Sequence, residues 1–134
     1  MAFIRTRRKM VTYDIASISK FQPPEGLLLL AFQNKNAFGI GCLRRIDEKI
    51  AEIKRMYVDP SFRGVGAGRS ILQHLVVAAK EAGYKKVRLD SPKFMAAAHA
   101  LYKSLGFSEI PEYAESEIPP EFRKHLLFME LELD

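Results

Sequence analysis

Three glycines at alternate positions, Gly64, Gly66 and Gly68, stand in a basic run that includes Arg63 and Arg69. They follow an apolar segment ending at Val58 and precede an amphipathic stretch, so the spacing predicts a turn between a strand and a helix. Unpaired backbone N–H groups and the positive end of the helix dipole converge at such a place, which makes it an anion site. Glycine lets the main chain approach phosphate oxygens, and Arg63 and Arg69 can add charge-assisted hydrogen bonds. The chemistry is therefore binding of a phosphate or diphosphate. Two familiar phosphate loops do not fit. The turn lacks the Gly-Lys-Ser/Thr ending of a nucleotide-triphosphate loop, and Arg69 stands where a dinucleotide fingerprint needs its third glycine. A turn that uses glycine only for its geometry is the alternative.

The elements that must position this turn can be read from periodicity. Strands are predicted over 27–33, 38–45 and 49–58, with turns at 34–36 and 47–48. In the third, Ile50, Glu52, Lys54, Met56 and Val58 alternate with Ala51, Ile53, Arg55 and Tyr57, which would place Glu52 and Met56 on one face. The spacing of Ile71, Leu72, Leu75, Val76 and Ala79 predicts a helix over 66–82, stopped at Gly83. A short strand at 86–90 follows. Phe94, Ala97, Ala98, Leu101, Tyr102 and Leu105 draw a second helical stripe, closed by Gly106, and strands at 107–113 and 126–133 complete the order. Strands with interleaved helices imply a mixed α/β sheet covered by helices.

On these residues the chain resembles the GNAT superfamily of N-acetyltransferases, whose cofactor motif reads Gln/Arg-x-x-Gly-x-Gly/Ala. Here it stands as Arg63-Gly64-Val65-Gly66-Ala67-Gly68, preceded by Met56-Tyr57-Val58-Asp59-Pro60 and followed by Ala100-Leu101-Tyr102-Lys103-Ser104-Leu105-Gly106-Phe107. The resemblance covers roughly Leu27 to Leu133. It implies a central mixed, mostly antiparallel sheet flanked by helices, and direct transfer of acetyl from acetyl-CoA to a primary amine without a covalent enzyme intermediate. It further implies that the Met56, Tyr57 and Val58 backbone holds the pantetheine arm, and that Arg63 to Gly68, with Arg69 and Ser70, holds the pyrophosphate. Tyr102 matches the tyrosine that protonates the departing thiolate, a role that suits a phenol protonated at neutral pH; a core tyrosine completing the stripe is the other reading. Glu52 matches acidic residues that serve as general base in some members, against the reading of a surface carboxylate paired with Lys54 or Arg44.

The chain departs from the family at its N-terminus, where 1–26 leaves too little room for a strand and two helices. Ile15, Ile18 and Phe21 at helical spacing predict that Asp14 to Phe21 is a remnant of the second helix, and Phe3 to Thr6 is a candidate first strand. Without that strand Leu27 to Phe32 becomes a bare sheet edge, to be covered by the N-terminal segment or by a second copy in a homodimer. The family's asparagine ahead of the tyrosine is replaced by Met95.

With 134 residues, 48% of them hydrophobic, the composition suits one domain over 1–134. The longest apolar run, Leu27 to Phe32, is far too short to span a membrane. The basic start, Arg5, Arg7, Arg8 and Lys9, has no secretory pattern behind it, and the lone Cys42, read as a small buried side chain, suits a reducing compartment; a cytoplasmic location is expected. His74, His99 and His125 lack the paired spacing of a metal site, so no metal is expected; His99, one turn before Tyr102, could join a proton relay. Nucleic acid, to which the charge of +5 could point, is disfavoured because the basic arm is short and has no interleaved aromatic beyond Phe3. Glu109, Glu112, Glu115 and Glu117 would suit a cationic acceptor. An acyl-CoA-binding or sensing domain without catalysis is the second functional reading.

Overall fold

Alternating apolar residues build the centre of the sheet. In β3 (Gly26–Gln33) Leu27, Leu29 and Ala31 are buried while Leu28, Leu30 and Phe32 are only partly so. β4 (Asn36–Arg45) returns antiparallel after a turn in which Asn34 takes a left-handed φ of 57°, a conformation asparagine tolerates. β5 (Ile50–Val58) follows a tighter turn, where the Asp47 carboxylate accepts from the backbone N–H groups of Lys49 and Ile50. The computed structural model describes residues 2–5, 12–18, 26–62, 64 and 66–134.

The remaining elements are β1 (Ala2–Arg5), β2 (Thr12–Ile18), α1 (Ala67–Glu81), β6 (Lys86–Pro92), α2 (Ala96–Ser104), β7 (Ser108–Ile110) and β8 (Leu126–Glu132). Short 3-10 turns occupy Pro60–Phe62 and Pro120–His125. The sheet order is β1-β2-β3-β4-β5-β6-β8-β7. Every pairing is antiparallel except that of β5 with β6. This is the mixed, mostly antiparallel sheet expected.

Helix α1 lies on the sheet with Ile71, Leu72, Leu75 and Ala79 wholly buried, each larger side chain contributing about 1.5–3 kcal/mol of transfer free energy. Its close approach depends on Gly41. A Cβ there would stand 2.7 Å from Ile71 Cγ2, 2.8 Å from Met56 Sδ and 2.9 Å from Leu75 Cδ1. The same core takes in Ile53, Leu89, Met129 and Tyr102 of α2, so both helices cover one side of the sheet.

Two expectations are corrected. Residues 14–18 are not a helix remnant: they lie in β2, where Asp14 to Ile18 pair with Phe32 to Leu28. Tyr13, Ile15 and Ile18 suit a strand as well as a helix, and the otherwise unpaired edge of β3 decides the matter by supplying hydrogen-bond partners. Residues 19–21 lie outside those described. Ala2–Arg5 does form a first strand, paired with β2, so the chain's own N-terminal segment covers the β3 edge and the reason for expecting a second copy there falls away. The second correction concerns Phe94 and Ala97. α2 begins only at Ala96, Phe94 is 85% exposed and Ala97 is also on the surface, because Met95 closes a turn onto the Pro92 carbonyl before the helix starts.

Candidate functional site

β5 and β6 run parallel and pair from Ile50 with Lys86 to Ile53 with Leu89. There the pairing stops, although β5 continues to Val58 and β6 to Pro92. The local cause is a β-bulge: Ile40 faces Tyr57 and Cys42 faces Lys54, so Arg55 and Met56 together oppose the single residue Gly41. Arg55 carries the irregularity, with φ of 56°. A bulge bends its strand and re-aims side chains. Here it leaves the β6-side backbone of Lys54 to Tyr57 without a strand partner among the described residues.

The bulge also inverts the alternation. Ala51 and Ile53 belong to the core under α1, and so do Met56 and Val58 beyond the bulge. Glu52 therefore points to the opposite face from Met56, which corrects the expectation that they share one.

The glycine turn brings the start of α1 to the open end of this split. Gly64 and Gly66 have left-handed φ values of 82° and 83°, which favour glycine. Gly66 is the N-cap residue, no side chain caps the helix, and its first turn holds no carboxylate. Ser70 N–H donates to the Gly66 carbonyl, so the preceding amides of Ala67, Gly68 and Arg69 form the uncapped mouth. A Cβ on Gly68 would lie 3.8 Å from Val58 and 3.9 Å from Leu101, which sets this turn between the end of β5 and α2. The mouth fits a diphosphate by the chemistry of its donors. Arg69, however, donates to the Ser104 hydroxyl at 2.9 Å and so ties α1 to α2. Ser70 is buried, and its carbonyl accepts from His74 Nδ1. Tyr57 is exposed and Val58 partly buried. Arg63 and Val65 lie outside the described residues.

Tyr102 sits in α2, 7% exposed and tilted against Phe107 at 6.0 Å. Burial raises its phenol above the ordinary value, and the carboxylate of Asp90 adds to the rise. Asp90 is the residue that sequence reasoning missed. It follows Leu89, the last β6 residue paired to β5, and so stands at the crotch of the split. Its carboxyl is raised by burial first and by Glu52 second, with Lys54 and Arg44 opposing. Its side chain has no hydrogen-bond or ion-pair partner among the described residues. The available signal was a lone carboxylate at the C-terminal end of a parallel strand, where open sheets place their ligands.

Glu52 is fully buried, not a surface carboxylate. Its partners are those anticipated: Arg44 donates to Oε1 from Nε at 3.1 Å and Nη2 at 2.8 Å, and Lys54 Nζ lies 3.9 Å away. The Tyr113 hydroxyl donates to Oε2, and burial first and this bond second push the phenol up. Tyr113 belongs to the segment between β7 and β8, which closes over this face of the sheet. Arg44 Nη2 donates to the Glu115 carbonyl at 3.0 Å, and both Arg44 and Lys54 pair with the Glu117 carboxylate, which they hold below its usual range, Lys54 foremost. Glu112 pairs with Arg123. Two of the four loop glutamates offered to a cationic acceptor are thus engaged.

His99 Nε2 hydrogen-bonds the Ser91 hydroxyl at 3.1 Å, which directs that nitrogen to β6 rather than to Tyr102. Cys42 is a buried free thiol, raised by desolvation. No group of three metal-ligating side chains occurs among the described residues. A groove of about 420 Å³ between β3 and α1, lined by Leu27, Leu29, His74 and Val77, is built from other residues than the split.

A mixed sheet opened between two parallel strands, with an uncapped helix mouth at the opening, is the arrangement of a transferase that uses a diphosphate-bearing acyl donor. Residues 4–107 match the Acetyltransferase (GNAT) family, and the chain belongs to that family, whose co-substrate is acetyl-CoA. An uncharacterized N-acetyltransferase of Schizosaccharomyces pombe is 29% identical over 117 residues, covering 85% of this chain and 68% of that protein. N-acetylaspartate synthetase of Danio rerio is 34% identical over 109 residues, covering 79% of this chain and 39% of the relative. Among solved structures, an acetyltransferase from Streptococcus agalactiae superposes with a TM-score of 0.74 at 26% identity, over 84% of this chain and 70% of that one. A GNAT family acetyltransferase from Elizabethkingia anophelis with acetyl-CoA bound shares the fold with a TM-score of 0.72 at 21% identity, over 90% and 98%. No helix among the described residues is long and apolar enough to cross a membrane.

Proposed function

We propose that this chain is an N-acetyltransferase that moves an acetyl group from acetyl-CoA to a primary amine by direct attack. The observation that carries the reading is the split between β5 and β6 beyond Ile53 and Leu89, with the uncapped mouth of α1 at its open end. Acetyl-CoA supplies the activated thioester carbonyl. The amides of Ala67, Gly68 and Arg69, with Gly64, Gly66, Ser70, Arg63 and Val65 of the same turn, hold its pyrophosphate. The backbone of Met56, Tyr57 and Val58, beside the opening between β5 and β6, takes the pantetheine amides as a further strand would.

Three proton transfers complete the reaction. The acceptor ammonium gives one proton to the carboxylates at the crotch of the split, the freed amine attacks the thioester carbonyl, and the second proton its nitrogen loses as the C–S bond breaks restores the phenol of Tyr102. Asp90 is the partnerless one and receives the first proton directly, while buried Glu52 supplies the negative charge that strengthens Asp90 as a base. Tyr102, kept protonated by its burial, gives a proton to the departing sulfur. A cytoplasmic site of action, consistent with the free thiol of Cys42, belongs to the same proposal.

The test pairs Tyr102→Phe with measurement of CoA release over a panel of amines. The variant should bind acetyl-CoA with unchanged affinity and lose turnover by about 10²-fold or more. Full turnover in Tyr102→Phe removes the acid assignment. Binding of acetyl-CoA by the wild-type chain with no CoA release for any amine establishes the non-catalytic acyl-CoA-binding alternative instead.

A further inference from the structure

We infer that Ser104 is a positioning residue: it holds the Arg69 guanidinium at the mouth of α1 and so makes the seating of α2, which carries Tyr102, depend on the diphosphate of the donor. This rests on the acetyl transfer proposed above and adds a coupling between its donor site and its acid.

Arg69 is the third residue of α1, and long helical side chains lean back towards the N-terminus, which sends its guanidinium towards the mouth. A cation in that turn opposes the helix dipole, and the turn itself holds no carboxylate to offset it. The partner comes from α2. Ser104 Oγ accepts from Arg69 Nη2 at 2.9 Å and donates to the Leu101 carbonyl at 2.6 Å. Leu105 N–H donates to the Tyr102 carbonyl, which leaves the Leu101 carbonyl, near the end of the helix, to the Ser104 hydroxyl. The hydroxyl proton is therefore committed to Leu101 and an oxygen lone pair faces Arg69. Through it the guanidinium meets the negative end of the α2 dipole.

A second contact fixes the same two turns. A Cβ on Gly68 would lie 3.9 Å from Leu101 Cδ2, so residues 68 and 69 of α1 touch residues 101 and 104 of α2, on either side of Tyr102. Elsewhere α2 is held lightly. It is nine residues long, buries only Tyr102, and is tied to β6 one turn earlier by His99 and Ser91 at 3.1 Å. Among the described residues the bond to Arg69 is the one polar side-chain tie between its last turn and another element.

A diphosphate at the mouth supplies the anion that α1 lacks. The guanidinium then lies between phosphate oxygens and Ser104, and charge-assisted bonds on both sides draw the turn that carries Tyr102 against α1. By linkage, seating α2 strengthens diphosphate binding by the same factor.

The experiment uses the full chain and needs no acceptor amine. Hydrogen exchange at the amides of 101–106 is followed with saturating CoA and with saturating pantetheine, which keeps the thiol arm and lacks the phosphates. In the wild type CoA should slow exchange there about fivefold or more beyond pantetheine. Ser104→Ala should abolish that difference and weaken CoA by about three- to tenfold in calorimetric titration, the size of one hydrogen bond, while pantetheine affinity stays the same. Ser104→Thr, which keeps the hydroxyl, should restore both. Equal protection by CoA and pantetheine in the wild type, protection by CoA that persists in Ser104→Ala, or an equal loss of affinity for both ligands overturns the inference and leaves acetyl transfer standing. A wild-type chain that binds no CoA overturns both.

Discussion

Replacing Arg44 by methionine removes both nitrogens that donate to Glu52 Oε1, at 3.1 and 2.8 Å, and leaves behind a carboxylate with no accessible surface. Breaking one side of a buried ion pair costs about 3–5 kcal/mol, because the remaining charge stays desolvated. The Arg44 side chain is 33% exposed, and Lys54 at 3.9 Å still offers some compensation, so the lower end applies, about 3 kcal/mol. A chain of 134 residues, at about 2.1 cal/mol/K per residue, has an unfolding entropy near 0.28 kcal/mol/K. The melting temperature should therefore fall by about 11 °C. Adding Glu52→Gln to Arg44→Met removes the stranded charge while keeping an acceptor for the Tyr113 hydroxyl, and should bring stability back to within about 1 kcal/mol of wild type. Urea unfolding of both single variants and the double variant at neutral pH measures the coupling. A loss below about 1 kcal/mol in Arg44→Met, or a double variant no more stable than the single one, refutes the view of Glu52 as a buried charge that depends on Arg44.

Asp90→Asn should raise the melting temperature at pH 7.5 while turnover falls by about 10²- to 10⁴-fold. The fold raises the Asp90 carboxyl above its ordinary value of 3.8, so its contribution to stability is fully present below that pH and is lost as pH rises through the folded value. The gain from asparagine should therefore vanish towards pH 4, and a gain independent of pH, or retained activity, contradicts the assignment. Gly41→Ala should cost about 1–3 kcal/mol by overpacking, since the new methyl group meets three core side chains. An unchanged urea midpoint would show that α1 can move aside. Gly66→Ala places a Cβ at φ of 83° and should weaken CoA binding by about tenfold, at a local cost of about 1–2 kcal/mol. Calorimetric titration with CoA decides it, and an unaltered affinity removes the turn from the binding site.

Much of this architecture was legible from periodicity. The alternation of Leu27 to Ala31, the stripe from Ile71 to Ala79 and the stop at Gly83 each depend on neighbours within a few residues, and the strands and helix α1 follow them. The alternate glycines before Ala67 carried their own meaning, because the left-handed backbone at Gly64 and Gly66 is a property of residue type. Other features are settled only by contacts between distant segments. Ile15 and Ile18 satisfy helical and extended patterns alike, and the bare edge of β3 chose the strand. The bulge at Arg55 is a relation between two strands, visible only when β5 is laid against β4, and it reverses the faces of Glu52 and Met56. The closure of the loop through Arg44 and Glu115 spans 71 residues. The sequence by itself determined the central strands, helix α1 and the glycine turn before it, since these are local matters of spacing and backbone freedom. Tertiary structure alone decided which carboxylate is buried and satisfied, Glu52, and which stands free in the split, Asp90, because burial and charge pairing depend on what the rest of the chain brings alongside.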